Sequence, residues 1–105
     1  MVLNHIKNKM RVDKIEFNKT VILYCPIGKG NYQATFNIEL HLDEYIPDYL
    51  DIEKWFKEFE GKHLIIEEAI EEVYQFFKCN YKPIACYVSC EAVSSIHFTV
   101  KVTKY

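Results

Sequence analysis

The sequence predicts an α+β domain in which a four-stranded antiparallel sheet carries two helices on one face. Three observations predict it. Segments with a period of two residues occur near both ends of the chain, two segments with helical spacing lie between them, and the length of 105 residues fits one domain. The predicted order is strand, strand, helix, helix, strand, strand. We expect a single domain over residues 1–105, in which residues 1–10 can form a loose N-terminal arm.

The first two predicted strands run from about Val12 to Cys25 and from Ala34 to Leu42. In the second strand, apolar and polar residues alternate strictly, which is typical of a strand with one face in the core. Residues 26–32 contain one proline and two glycines, so we expect them to connect the strands as an antiparallel hairpin.

Two amphipathic helices are predicted in the middle of the chain. Apolar residues of the first recur at i, i+3, i+4 and i+7, and Gly61 ends it. The second ends near Cys79–Asn80, before Pro83. The two apolar stripes consist of Ile52, Trp55, Phe56 and Phe59, and of Ile66, Ala69, Ile70, Val73 and Phe77.

The last two predicted strands are Ile84–Cys90 and Ile96–Val102, joined by residues 91–95. Cys86 and Cys90 share one face roughly 13 Å apart, too far for a mutual disulfide, and we expect both in the core. The sheet face without helices is predicted to be polar, with Asn37, Glu39, His41, Tyr87, Ser89, His97, Thr99 and Lys101 on it.

Composition excludes several classes of protein. The formal net charge is −2 and Arg11 is the single arginine, which excludes a strongly basic nucleic-acid surface. Apolar runs are too short to span a bilayer and no secretory signal is visible, so we expect a cytoplasmic protein. The spacing of the cysteines and histidines fits neither a zinc site nor an obvious disulfide framework, so no metal is expected.

Two side chains stand out as candidates for chemistry. Cys25 lies where an apolar strand enters a loop rich in glycine and could act as a nucleophile if its thiolate were stabilised. The alternative is a small buried side chain that closes the strand. On a helical wheel, Glu67 lies at the edge of the apolar stripe of the second helix, whereas Glu68 points away from it.

These residues resemble a known family. Cys25-Pro26-Ile27-Gly28-Lys29, Ala34-Thr35 at the start of a strand, and Glu67-Glu68, which begins 42 residues after the cysteine, are similar to the 7-cyano-7-deazaguanine nitrile reductases of the tunnelling fold. The similarity is closer to the short branch of that family, the QueF-like amidinotransferases of archaeosine synthesis. The reductases' Glu-Ser-Lys-Ser motif for NADPH is absent, since residues 51–55 read Asp-Ile-Glu-Lys-Trp.

The resemblance implies an enzyme without a cofactor. Cys25 would add to the nitrile of 7-cyano-7-deazaguanine in tRNA and form a thioimide, which ammonia would convert to a formamidine. Glu67 would bind the deazaguanine edge. Several copies of the chain would assemble into a ring.

The chain departs from the family pattern at two positions. Tyr32 stands where the family has an aspartate proton donor, seven residues after the cysteine, so the resemblance makes Tyr32 the candidate catalytic proton donor beside Cys25. Ile66 stands where the family has a histidine. His63, four residues before Glu67, could take the place of that histidine. The alternative to an enzyme is therefore a non-catalytic tunnelling-fold protein that binds a purine or pterin ring, or that serves only as an oligomeric assembly module, with Cys25 structural.

Overall fold

The computed structural model describes residues 3–93 and 99–105. The elements in chain order are β1 (Ile6–Lys7), β2 (Lys14–Cys25), β3 (Gly30–His41), β4 (Tyr45–Ile46), α1 (Tyr49–Phe59), α2 (Ile66–Tyr81), β5 (Ala85–Val93) and β6 (Thr99–Lys104). A four-stranded antiparallel sheet in the order β2-β3-β5-β6 carries two helices on one face, as predicted. A separate two-stranded sheet pairs β1 with β4.

The hairpin of β2 and β3 is tighter than the sequence predicts. Its last pair is Cys25 opposite Gly30, so the connection consists of residues 26–29 and Tyr32 already belongs to β3. Lys29 adopts the left-handed conformation with φ 55°, and its backbone N–H donates to the Cys25 carbonyl at 2.8 Å. That conformation reverses the chain within four residues, which the count of glycines and prolines does not reveal.

The small sheet of β1 and β4 was not predicted because strands of two residues have no detectable period. Asn4 attaches the same region to α1. Its backbone N–H donates to Asp51 Oδ2 at 2.7 Å and its side-chain amide donates to Asp48 Oδ2 at 2.9 Å. The N-terminal segment from residue 4 to residue 7 is therefore attached to the domain rather than loose.

Both helices bury their apolar stripes against the sheet. Phe77 of α2 lies against Phe17 of β2, with ring centroids 5.4 Å apart, and Phe59 of α1 lies against Phe36 of β3 at 6.0 Å. Asp48 caps α1 by accepting a hydrogen bond from the Leu50 N–H. The two helices and one face of the sheet thus form a single core.

The two cysteines of β5 lie in this core, as predicted. Cys86 is 6% exposed and Cys90 is fully buried. Burial raises the pKa of Cys86 to about 11 and that of Cys90 to about 12, because a thiolate is poorly solvated there. Both thiols are therefore protonated at neutral pH.

The second hairpin differs from the prediction at its ends. β5 continues to Val93, beyond the predicted end at Cys90, and β6 covers Thr99–Lys104. The predicted start of the last strand, residues 96–98, lies outside the described residues, and so does His97.

The sheet face without helices is polar, as predicted. The register places Asn18, Asn37, Ser89 and Thr103 in one row across all four strands. A groove of about 450 Å³ lies on this face. Among the residues that the structure describes, no helix is long and apolar enough to cross a membrane.

Candidate active site

Cys25 ends β2 at the start of the hairpin connection. Its side chain is half-buried, and the backbone N–H of Gly28 donates to its sulfur at 3.3 Å. An N–H group aimed at sulfur stabilises a thiolate more than a thiol, because the hydrogen bond is stronger to the charged form. A Cβ at position 28 would lie 3.7 Å from the sulfur, so glycine leaves this side of it uncovered. The Cys25 sulfur is thus accessible on one side and contacts a backbone N–H group.

Tyr32 lies on the same face of the hairpin as Cys25. Since Tyr32 pairs with Leu23 and Cys25 pairs with Gly30, Cys25 and Tyr32 are diagonal neighbours, for which a Cα separation of roughly 7–8 Å is usual. The hydroxyl of Tyr32 donates to the carbonyl of Leu64 at 2.5 Å. Burial raises the pKa of Tyr32 well above its usual value, and the acidic groups of Cys90, Cys25 and the two glutamates Glu67 and Glu68 raise it further, Cys90 the most.

The segment between the helices, residues 61–64, runs along the outer edge of β2. We call it the interhelical segment. Three backbone hydrogen bonds join it to β2: Gly61 N–H to Ile22 O at 2.9 Å, Tyr24 N–H to Lys62 O at 3.0 Å, and Leu64 N–H to Tyr24 O at 3.0 Å. They hold the start of α2 beside the end of β2 that carries Cys25.

Glu67 and Glu68 belong to the first turn of α2, where the helix dipole favours negative charge. Glu68 has a structural contact, because its Oε1 accepts from the Ile65 N–H at 3.2 Å. Glu67 is exposed and lies near enough to Tyr32 for its charge to affect the pKa of that phenol. The hydrogen bonds of Leu64 to Tyr24 and to Tyr32 hold the start of α2 beside the end of β2, so Cys25, Tyr32 and Glu67 lie at one corner of the domain.

His63 has different surroundings. It precedes α2 and forms a parallel β-bridge with Tyr24, so the helical spacing that relates it to Glu67 in the sequence does not apply. Its ring packs on the Tyr24 ring, with centroids 4.5 Å apart. Because adjacent residues of a strand point to opposite faces, Tyr24 and Cys25 face away from each other. The ring of His63 therefore lies with Tyr24 rather than with the sulfur.

Sequence reasoning missed the role of the interhelical segment. Its link to β2 consists of backbone hydrogen bonds, which almost any residues can form, so no side-chain pattern indicates it. The sequence accordingly gives no indication that Leu64 and Tyr24 contact each other. Within residues 3–93 and 99–105, no three side chains of His, Cys, Asp or Glu cluster as ligands for a metal ion.

Fold and site together define the class of the protein as an α+β domain whose four long strands and two helices follow the order ββααββ, with a cysteine at the end of the first long strand and a glutamate at the start of the second helix. Its fold is similar to that of the archaeosine synthase QueF-Like, solved as a crystal structure in the apo form. The TM-score is 0.77 and the identity is 17%, and the match covers 89% of this chain and 92% of that chain. The fold that the sequence resemblance implies is thereby confirmed.

Comparisons by sequence add nothing to this result. No protein-family model matches the chain. No curated protein matches it either.

Proposed function

We propose that the protein is an amidinotransferase-type enzyme of tRNA modification, which converts the nitrile of 7-cyano-7-deazaguanine to a formamidine. The observation that carries the proposal is the Cys25 sulfur, half-exposed and in contact with the Gly28 N–H, at the same corner as the Glu67 carboxylate. The shared fold with an archaeosine synthase and the family-like Cys-Pro-Ile-Gly-Lys sequence support it.

The chemistry needs one thiol and one amine. The Cys25 sulfur adds to the nitrile carbon, the carbon–nitrogen triple bond becomes a double bond, and the proton that the thiol gives up ends on the nitrogen, which gives a covalent thioimide. Ammonia then attacks the same carbon, the carbon–sulfur bond breaks, and the thiol is regained with the formamidine product. Glu67 accepts hydrogen bonds from the N–H edge of the base. No step involves a redox cofactor or a metal.

The proposal includes assembly into a ring. Because each strand pair of the sheet is antiparallel, the edge strands β2 and β6 run in opposite directions. β6 of one copy therefore fits β2 of the next as an antiparallel neighbour. The interhelical segment covers β2 around residues 22–24, which leaves residues 14–21 for that pairing.

A tRNA substrate requires a cluster of positive charge, whereas one copy of the chain has a formal net charge of −2. Near the N-terminus, every second residue from position 7 to position 11 is basic and exposed: Lys7, Lys9 and Arg11. A ring would repeat this basic group once per copy and thereby supply several phosphate contacts. A protein acting on tRNA belongs in the cytoplasm, which is part of the proposal.

The decisive experiment is intact mass under denaturing conditions after incubation with 7-cyano-7-deazaguanine without ammonia. We expect an increment equal to the whole ligand, because addition to a nitrile has no leaving group. Cys25→Ala should abolish the increment, and Cys79→Ala, which removes an exposed cysteine far from the corner, should leave it unchanged. An increment that persists in Cys25→Ala, or that never forms in the unmodified protein, would contradict the proposed chemistry.

A second function is favoured by one specific contact. The Tyr32 hydroxyl proton is already donated to Leu64, so the position of the family's proton donor holds a residue engaged in a structural hydrogen bond. A non-catalytic protein that binds a purine or pterin ring through Glu67, or that serves as an oligomeric assembly module, fits this contact. The mass experiment distinguishes the two functions, because a non-catalytic protein forms no covalent increment. A ring-binding protein would instead show saturable binding by calorimetry, and an assembly module would show a stable oligomer by light scattering.

A further inference from the structure

We propose that Tyr32 is a positioning residue, which fixes the interhelical segment and through it the place of Glu67 relative to Cys25. The role of Glu67 in this statement rests on the proposed function. The positioning itself rests on the contacts of the described residues.

The contact is made across a strand. The interhelical segment lies on the outer edge of β2, whereas Tyr32 belongs to β3 on the inner edge and pairs with Leu23. To donate to the Leu64 carbonyl, the Tyr32 side chain therefore passes over the helix-covered face of β2. It is the side chain by which β3 reaches the segment.

The geometry gives this contact a function that the backbone bonds lack. The three backbone hydrogen bonds all lie along the edge of β2, around Ile22 and Tyr24. The Tyr32 hydrogen bond approaches from the helix-covered face instead and restrains the segment in a second direction, together with the packing of Leu64 on the core. Leu64 comes two residues before α2 begins and Glu67 is the second residue of α2, so the constraint passes directly to the carboxylate.

The same contact argues against proton transfer by Tyr32. Its hydroxyl proton is occupied by Leu64, and burial holds the pKa of the phenol above its usual value. A donor would have to break the hydrogen bond in each cycle and release a proton from a weaker acid than a free phenol. A positioning role requires neither the breaking of this hydrogen bond nor the release of the proton.

The first test uses no ligand. Tyr32→Phe keeps the ring and removes the hydroxyl, and amide hydrogen exchange at Gly61 and Leu64 should become about five- to tenfold faster, since a hydrogen bond of ordinary strength is lost. Tyr24→Phe is the matched control, because Tyr24 contacts the same segment but its hydroxyl has no hydrogen-bond partner among the described residues. Exchange in Tyr32→Phe as slow as in the unmodified protein would overturn the inference.

The second test separates positioning from proton transfer. We expect Tyr32→Phe to weaken binding of 7-cyano-7-deazaguanine about tenfold, while the rate of adduct formation at saturating ligand stays within about threefold. In Glu67→Gln, the added Tyr32→Phe change should weaken binding by less than twofold, because the positioned group is already impaired.

The opposite pattern contradicts the inference. A saturating rate that falls a hundredfold, with binding unchanged, would make Tyr32 the proton donor. If the unmodified protein neither binds the ligand nor forms an adduct, the proposed function fails, and hydrogen exchange alone then decides whether Tyr32 positions the segment.

Discussion

The two ends of α2 are held in different ways. At its start, two hydrogen bonds add to the apolar packing: Tyr32 to Leu64, and the Ile65 N–H to Glu68, in half-exposed or exposed surroundings. At its other end, Phe77 and Tyr81 are buried among aromatic rings.

The difference separates stability from ligand binding. An aromatic cluster contributes several kcal/mol and tolerates little movement, whereas single hydrogen bonds at a partly exposed helix end contribute about 1 kcal/mol each. Small shifts at the start of α2 therefore cost little folding free energy, although they displace Glu67.

The largest expected effect is at the apolar end. Phe77→Ala should lower the free energy of unfolding by about 3–5 kcal/mol, because Phe77 is fully buried against Phe17 and its loss leaves a cavity. Urea unfolding followed by Trp55 fluorescence measures it, since Trp55 stacks on Phe76 in the same cluster. Cys79→Ala, at an exposed position of the same helix end, should change the value by less than about 0.5 kcal/mol.

Raising the pH should lower the free energy of unfolding by an intermediate amount, through Tyr81 at the same end of α2. Burial raises the pKa of Tyr81 to about 12, and Asp51 and Asp48 add to this effect. Above pH 10 the phenol of the unfolded chain loses its proton, whereas that of the folded chain keeps it. The stabilisation is therefore complete below pH 10 and is lost as the pH approaches 12, at up to about 1.4 kcal/mol per pH unit.

Tyr81→Phe isolates this contribution. The variant should lose less stability than the unmodified protein between pH 10 and 11.5, measured by urea unfolding at several pH values. The buried thiols of Cys86 and Cys90 also lower the free energy of unfolding as the pH rises, but they do so equally in both proteins. Equal slopes in the two proteins would mean that Tyr81 does not titrate with unfolding.

The smallest expected effect is at the polar end. Glu68→Ala removes the carboxylate that accepts from the Ile65 N–H and should lower the free energy of unfolding by about 0.5–1 kcal/mol. Glu53→Ala, at an exposed position in the middle of α1, is the control and should have a smaller effect. A loss above 2 kcal/mol at Glu68 would contradict the distinction between the two ends.

Periodicity predicted the elements that face the core. The alternation in β3 and the stripe from Ile66 to Phe77 predicted which side chains are buried, because each buried face repeats with the period of its element. The two-residue strands β1 and β4 and the four-residue hairpin connection were not predicted, since single backbone conformations such as that of Lys29 determine them.

The candidate site was predicted only in part. Cys25 and Glu67 could be proposed from residue type, spacing and resemblance, and the fold brings both to one corner. The hydrogen bond from Tyr32 to Leu64 could not, because Leu64 is one ordinary residue in a connection and its carbonyl has no sequence signature. The same holds for the contact of His63 with Tyr24.

The amino-acid sequence by itself determined the order of the four long strands and two helices, the core face of each of them and the chemical nature of Cys25 and Glu67, because hydrophobic periodicity and side-chain chemistry are local properties. Only the tertiary structure decided that residues 61–64 lie along β2 and that Tyr32 reaches across this strand to Leu64. Those contacts join residues more than 30 positions apart, and each uses at least one backbone group that carries no side-chain signature, so the fold selects them.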